Sequence, residues 1–122
     1  MKRTFPATLE GLAACRAFLE ENYTDPKPQI IADEIVSNIV RCSGSPDFTV
    51  EIEPASDGLK TLTMVFTDSG VPFDPTATED PDITASAEER SIGGLGLYMV
   101  RKMSKSVGYE RRGGENLLTI VL

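Results

Sequence analysis

Residues 62–70 read Leu62-Thr63-Met64-Val65-Phe66-Thr67-Asp68-Ser69-Gly70, and this stretch decides the fold. Leu62, Met64 and Phe66 alternate with Thr61, Thr63 and Val65, the period of two that belongs to a β-strand with one greasy face. Asp68 ends the strand, and Gly70 follows it as a turn former. Upstream, Phe48, Val50 and Ile52 alternate in the same way with Thr49, Glu51 and Glu53, and Ser56-Asp57-Gly58 marks the turn between the two runs. A hairpin with one apolar and one polar face predicts an antiparallel sheet covered by helices on one side only.

Working outward, Arg3-Thr4-Phe5-Pro6 reads as a short edge strand, where proline is tolerated. Thr8 can cap a helix whose apolar positions Leu12, Cys15, Leu19 and Tyr23 recur every three or four residues. Asp25-Pro26 starts a second helix, with Ile31, Ile35 and Ile39 as its core stripe and an end near Cys42-Ser43-Gly44. Beyond Asp68 the periodicity vanishes, and Pro72, Pro75 and Pro81 make residues 69–92 a long loop. Loops of that length in compact domains are usually functional or mobile. Gly93-Gly94-Leu95-Gly96 opens a third helix, striped by Leu95, Met99 and Met103. Val107–Arg111 and Leu117–Leu122 close the chain as a hairpin around Gly113-Gly114. The order is strand, two helices, hairpin, loop, helix, hairpin. It predicts one α+β domain over residues 1–122, a two-layer α/β sandwich whose largely antiparallel sheet is covered on one face by three helices.

Composition excludes several function classes. The net charge is -7, which argues against non-specific binding to nucleic acid, where Lys and Arg must concentrate. The 122 residues contain no histidine, so no His-dependent triad, His-ligated metal site or phospho-His relay can lie within them. No apolar run is long enough to span a bilayer, and no signal-peptide core follows Met1-Lys2-Arg3, so neither a membrane nor export is expected and the cytoplasm is. Cys15 and Cys42 lack CxxC neighbours and read as buried free thiols.

Three constellations bear chemistry. Glu34 and Asn38 are four apart on the second helix and share a face, which Arg41 continues at the next turn. Their oxygens suit Mg²⁺, which takes a few protein oxygens together with water and phosphates; a solvated helix face reads equally from the same residues. Asp68 at a strand end can accept a hydrogen bond from an adenine amino group, or simply form a turn. Gly93-Gly94-Leu95-Gly96 at a helix start lets backbone N–H groups approach phosphate oxygens; a hinge is the plainer alternative. The glycines are neither a Walker loop nor a dinucleotide fingerprint, because no Gly-Lys-Ser/Thr follows and no strand-turn precedes them.

Together the boxes are more specific than apart. Glu-x-x-x-Asn on a helix, Asp-x-Gly at a strand end, a long loop, then Gly-Gly-Leu-Gly-Leu on a helix resembles the Bergerat ATP-binding fold of gyrase, sensor histidine kinases and MutL. Within that superfamily, Val71-Pro72-Phe73-Asp74-Pro75, the run from Glu89 to Met103 and the tail from Tyr109 to Thr119 resemble the anti-sigma-factor serine/threonine kinases of the RsbW type. The likeness covers nearly the whole chain from Phe5 onward. Arg41-Cys42 departs from it, since many relatives carry a basic residue followed by histidine there.

The resemblance implies ATP and Mg²⁺ as cofactors. It makes Asn38 the Mg²⁺ ligand and Glu34 the general base that prepares a substrate serine hydroxyl. Asp68 would bind the adenine amino group with help from Thr119, while Gly70 would let the backbone pass close to the base. Gly93, Gly94, Leu95 and Gly96 would meet the phosphates, with Arg41 a phosphate neighbour. The loop would be an ATP lid, with Arg90 near its hinge contacting the γ-phosphate. The implied partners are a STAS-domain anti-anti-sigma protein and a sigma factor, and a homodimer fits the family. The alternative is a non-catalytic regulatory module in which nucleotide sets partner choice. A histidine-kinase reading would need an acceptor histidine, and the chain has none.

Overall fold

The computed structural model describes residues 1–54, 62–73 and 94–122. Its elements are β1 (Lys2–Pro6), α1 (Leu9–Asn22), α2 (Lys27–Asn38), β2 (Asp47–Pro54), β3 (Leu62–Asp68), α3 (Gly94–Met103), β4 (Ser106–Arg112) and β5 (Glu115–Val121), in that order. The strands make one sheet in the order β1-β2-β3-β5-β4, and every neighbouring pair is antiparallel. This is the α+β sandwich that the alternating strands and glycine-led third helix predict. The Ser56-Asp57-Gly58 turn, residues 74–92 with Arg90, and Gly93 lie outside the described residues.

Local chemistry explains the element boundaries. Thr8 Oγ1 accepts a hydrogen bond from Gly11 N at 3.1 Å, capping the first turn of α1. Asp25 Oδ1 accepts from Lys27 N at 3.0 Å and starts α2, with Pro28 inside its first turn, where no N–H is needed. After Asn38 the backbone does not stop. It continues through a π-helical turn, Ile39–Ser43, which ends at Gly44 with φ 73°. Ser43 Oγ donates back to Ile39 O at 2.7 Å within that turn. Nothing in the composition signals the wider turn, and such turns recur at functional sites.

The register stacks the apolar residues of the strands on one face. Met64 lies opposite Ile52 and Ile120, and Phe66 opposite Val50 and Leu118. All six are buried, as are Phe5 and Phe48 on the same face. The helices cover them with Cys15, Phe18 and Leu19 of α1, Ile31, Ile35 and Val36 of α2, and Val100 of α3. Each large side chain so buried contributes about 1.5–3 kcal/mol relative to exposure. Among the described residues no helix is long and apolar enough to cross a membrane.

Three expectations about packing need correction. Met99 is 43% exposed, and Val100 is the buried residue of α3. Tyr98, Met99 and Val100 are successive bulky positions, so spacing alone does not choose which of them faces α2 and the sheet. In α1, Phe18 takes the deep position, whereas Leu12 and Tyr23 are only half-buried. Cys42 is exposed, because the π turn rotates it outward from the core stripe of α2. Cys15 is fully buried, and burial, with Asp33 adding to it, pushes its thiol from 9.0 up to about 12.

Candidate functional site

Asp68 ends β3 and pairs in register with Asn116 of β5. Directly opposed residues of antiparallel strands share a face, so both side chains point to the helix side of the sheet. They are 8% and 4% exposed, respectively, and polar groups at that depth need partners. Asp68 Oδ1 accepts from Gly70 N at 2.9 Å and from Asn116 Nδ2 at 3.1 Å. Asn116 Nδ2 also donates to Val71 O at 2.8 Å. Asn116 Oδ1 accepts from the Tyr109 hydroxyl, from Arg111 Nη1 at 3.2 Å and from Phe73 N at 3.4 Å. Arg111 Nη1 donates in turn to Gly70 O at 2.7 Å.

The end of the π turn clamps the other side of this corner. A Cβ at residue 70 would stand 2.3 Å from Ser43 O, so only glycine permits the approach. Val71 N donates to that same Ser43 O at 2.9 Å. Ser45 Oγ accepts from Ser69 N at 3.1 Å, lies 3.1 Å from Ser69 Oγ, and donates to Asp47 O at 2.6 Å. The close approach that the structure shows at Gly70 is to the backbone of Ser43.

Beside the corner opens a cleft of about 580 Å³, counting the open space at its mouth. Ile35, Ile39, Phe66 and Leu118 give it apolar walls, Asp68, Asn116 and Tyr109 line one end, Val71, Pro72 and Phe73 another side, and Asn38 and Cys42 the α2 side. An apolar slot with a carboxylate at its floor suits a flat ring that carries one edge donor. Asp68 Oδ1 holds two donors, whereas Oδ2 accepts from none of the described residues.

Asn38 leads out of the cleft. Its Oδ1 accepts from Arg41 Nη2 at 2.9 Å, and its Nδ2 is shielded from solvent without a partner among the described residues. Arg41 also donates from Nε to Ser37 O at 3.3 Å. Arg41 and Glu34 line a second depression with Leu9, Leu12, Ser37 and Val40. Arg41 and Asn38, a lining residue of each hollow, are joined by the hydrogen bond between them. Magnesium would find one protein oxygen here, Asn38 Oδ1, with phosphates and water completing its shell as this ion usually requires. Among the described residues no group of three or more Cys, Asp or Glu side chains could hold a metal unaided.

The structure thus brings Asp68 and Asn38 to one cleft. Gly70 does not line it but holds Asp68 through its backbone N–H, Arg41 is joined to it through Asn38, and Glu34 lines the second hollow. Gly94, Leu95 and Gly96 fall in the first turn of α3, while Gly93 and Arg90 lie outside the described residues. Thr119 is not brought to the site. It pairs with Val65, one position out of phase with Asp68 and Asn116, and lies on the opposite face of the sheet. The residues that meet Asp68 instead are Asn116, Tyr109 and Arg111. Their signal was present in the alternation: if Leu118 and Ile120 point inward, Asn116 does too and Thr119 cannot.

The site thus lies between the end of the central strand of a one-sided antiparallel sheet and a helix face. Residues 5–122 match the family of histidine kinase-like ATPase domains, and the chain belongs to that family. Membership of an ATPase family implies ATP as the ligand. The serine/threonine-protein kinase BtrW of Bordetella bronchiseptica is 29% identical over 92 residues, which cover 75% of this chain and 65% of BtrW. In three dimensions the chain is similar to the histidine kinase domain of a blue-light activated histidine kinase from Erythrobacter litoralis. The TM-score is 0.51 at 14% identity, over 96% of this chain and 60% of that one, a likeness of fold. The chain spans less than two thirds of the length of either protein.

Proposed function

We propose that residues 1–122 act as one ATP-binding domain of an anti-sigma regulatory factor, a serine/threonine kinase of the cytoplasm. Its substrate is a serine of a STAS-domain anti-anti-sigma protein, and it sequesters a sigma factor when that partner is phosphorylated. The observation that carries the reading is Asp68, buried at the floor of an apolar cleft with one carboxylate oxygen uncommitted. Adenine would lie between Phe66, Leu118 and Ile39 with its amino group on Asp68. The phosphates would then run past Asn38 toward Arg41 and the N-terminus of α3, whose backbone N–H groups favour anions. The shielded, unpartnered Nδ2 of Asn38 supports this path, since a phosphate oxygen would satisfy it.

In the transfer, the serine oxygen attacks the γ-phosphorus, the bond to the ADP oxygen breaks, and Glu34 takes the serine proton. Arg90, which like the rest of residues 74–92 lies outside the described residues, would contact the γ-phosphate. Mg²⁺ held by Asn38 Oδ1 and the phosphates would neutralise charge, once Arg41 gives up that oxygen to meet the phosphates itself. Labelled ATP incubated with the chain and its STAS partner should label a partner serine, and Glu34→Gln should lower that rate by about a hundredfold or more. Tight ATP binding with no transfer by the native chain would exclude the kinase.

One observation favours the second reading, a nucleotide-dependent switch without catalysis. Glu34 lines the neighbouring hollow and not the cleft that holds Asn38 and Asp68. On that reading Glu34→Gln leaves signalling intact, whereas Asn38→Ala abolishes it together with nucleotide binding. A homodimer, as relatives of this type form, is compatible with either reading and is tested by the molar mass in solution.

A further inference from the structure

We infer that Asn116 is the residue that sets the purine specificity of this site, by leaving Asp68 only one oxygen with which to read a base. The inference rests on the nucleotide-binding reading above and deepens it. Asn116 is almost fully buried, and its hydrogen-bonding capacity is filled: two donations from Nδ2, three acceptances at Oδ1. It therefore has nothing left to offer a ligand directly. Its effect must pass through Asp68.

The orientation of the amide is fixed by chemistry. Phe73 N and the Arg111 guanidinium can only donate, so the group facing them must be the amide oxygen. Val71 O can only accept, so the group facing it must be the nitrogen. The second hydrogen of that nitrogen then goes to Asp68 Oδ1, which also takes Gly70 N. Among the described residues Asp68 keeps a single free acceptor, Oδ2, at the cleft.

A carboxylate with both oxygens free is a bidentate acceptor and suits two adjacent donors. Guanine has such a pair in N1–H and its 2-amino group. Adenine offers one donor, the 6-amino group, beside an acceptor ring nitrogen. By occupying Oδ1, Asn116 removes the bidentate option and keeps the single-oxygen one. Tyr109 and Arg111 act one step further back, since they hold the amide from which Oδ1 receives its bond. Sites that read a base by hydrogen bonds reject the wrong partner mainly through the polar groups it leaves unpaired.

The test is calorimetric titration of the whole chain with Mg·ATP and Mg·GTP, comparing the ratio of the two dissociation constants between variants. The native chain should favour ATP by about tenfold or more. Asn116→Leu removes the amide at similar size and should lower that preference by about tenfold, with ATP binding weakened and GTP binding weakened less or improved. Tyr109→Phe removes one donor from the amide at little structural cost and should lower the preference by about twofold. That second variant decides the matter if Asn116→Leu does not fold. An unchanged ratio in the variants that fold, with both affinities falling together or neither moving, overturns the inference and makes Asn116 a structural residue only. A native chain that binds neither nucleotide overturns the nucleotide-binding reading itself, an outcome distinct from an unchanged ratio.

Discussion

The two ends of the cleft are built differently. At the Asp68 end the described polar groups are almost all committed. One amide joins two strands and the start of the following loop, serines tie the turn to the end of α2, and a glycine lets two backbones meet. At the Asn38 end a half-buried amide touches one exposed arginine, its nitrogen is unpartnered among the described residues, and Glu34 sits in the adjoining hollow. The first end is preformed, so a ligand group placed there costs little reorganisation. At the second, the Arg41 guanidinium already sits on the Asn38 oxygen, so a cation placed on that oxygen would push the like-charged arginine away. On this view the base end provides recognition, and the phosphate end is where binding changes the protein.

The largest expected effect breaks the rigid end. Gly70→Ala places a methyl group against the Ser43 carbonyl, backbone on backbone, where no side chain can swing away. It should cost about 3 kcal/mol of unfolding free energy by urea titration, with loss of nucleotide binding as the corner shifts. A cost below about 0.5 kcal/mol would mean that the corner is pliable and the comparison false.

The smallest effect on stability should come from the open end. Arg41 is exposed, and its bonds to Asn38 and Ser37 lie in water. Arg41→Ala should change unfolding free energy by less than about 0.5 kcal/mol. If Arg41 transfers to the phosphates, the same variant should weaken ATP binding and flatten its dependence on salt, because screening acts on the lost charge pair. Unchanged ATP affinity would leave Arg41 as a surface residue and move the phosphate path elsewhere.

The sheet and its covered face were legible because strand alternation records burial directly, as in Phe48-Val50-Ile52 and Met64-Phe66. Of the boxes, Asp68 and Asn38 share a cleft, Glu34 lines the other hollow, and Gly93 lies outside the described residues. The third member of the base end was misplaced. Resemblance pointed to Thr119, whereas the phase of Leu118 and Ile120 assigns the inward position to Asn116, and local phase is the stronger physical argument. Two features had no local signal at all. The need for glycine at residue 70 depends on where the carbonyl of Ser43 ends up, 27 positions earlier in the chain. The π turn that carries it there follows an ordinary amphipathic helix, so its position is set by tertiary packing.

The central claim is that Asp68, held by Asn116 and Gly70, is a ready-made acceptor for an adenine amino group. Titration of Asp68→Asn with Mg·ATP tests it most directly. The substituted amide can still accept from Gly70 N and Asn116 at one atom, so the corner should stay folded, but it turns a donor toward the ligand. ATP affinity should fall by about tenfold or more at nearly unchanged unfolding free energy. Native-like ATP binding by that variant would contradict the account and place the base elsewhere in the molecule.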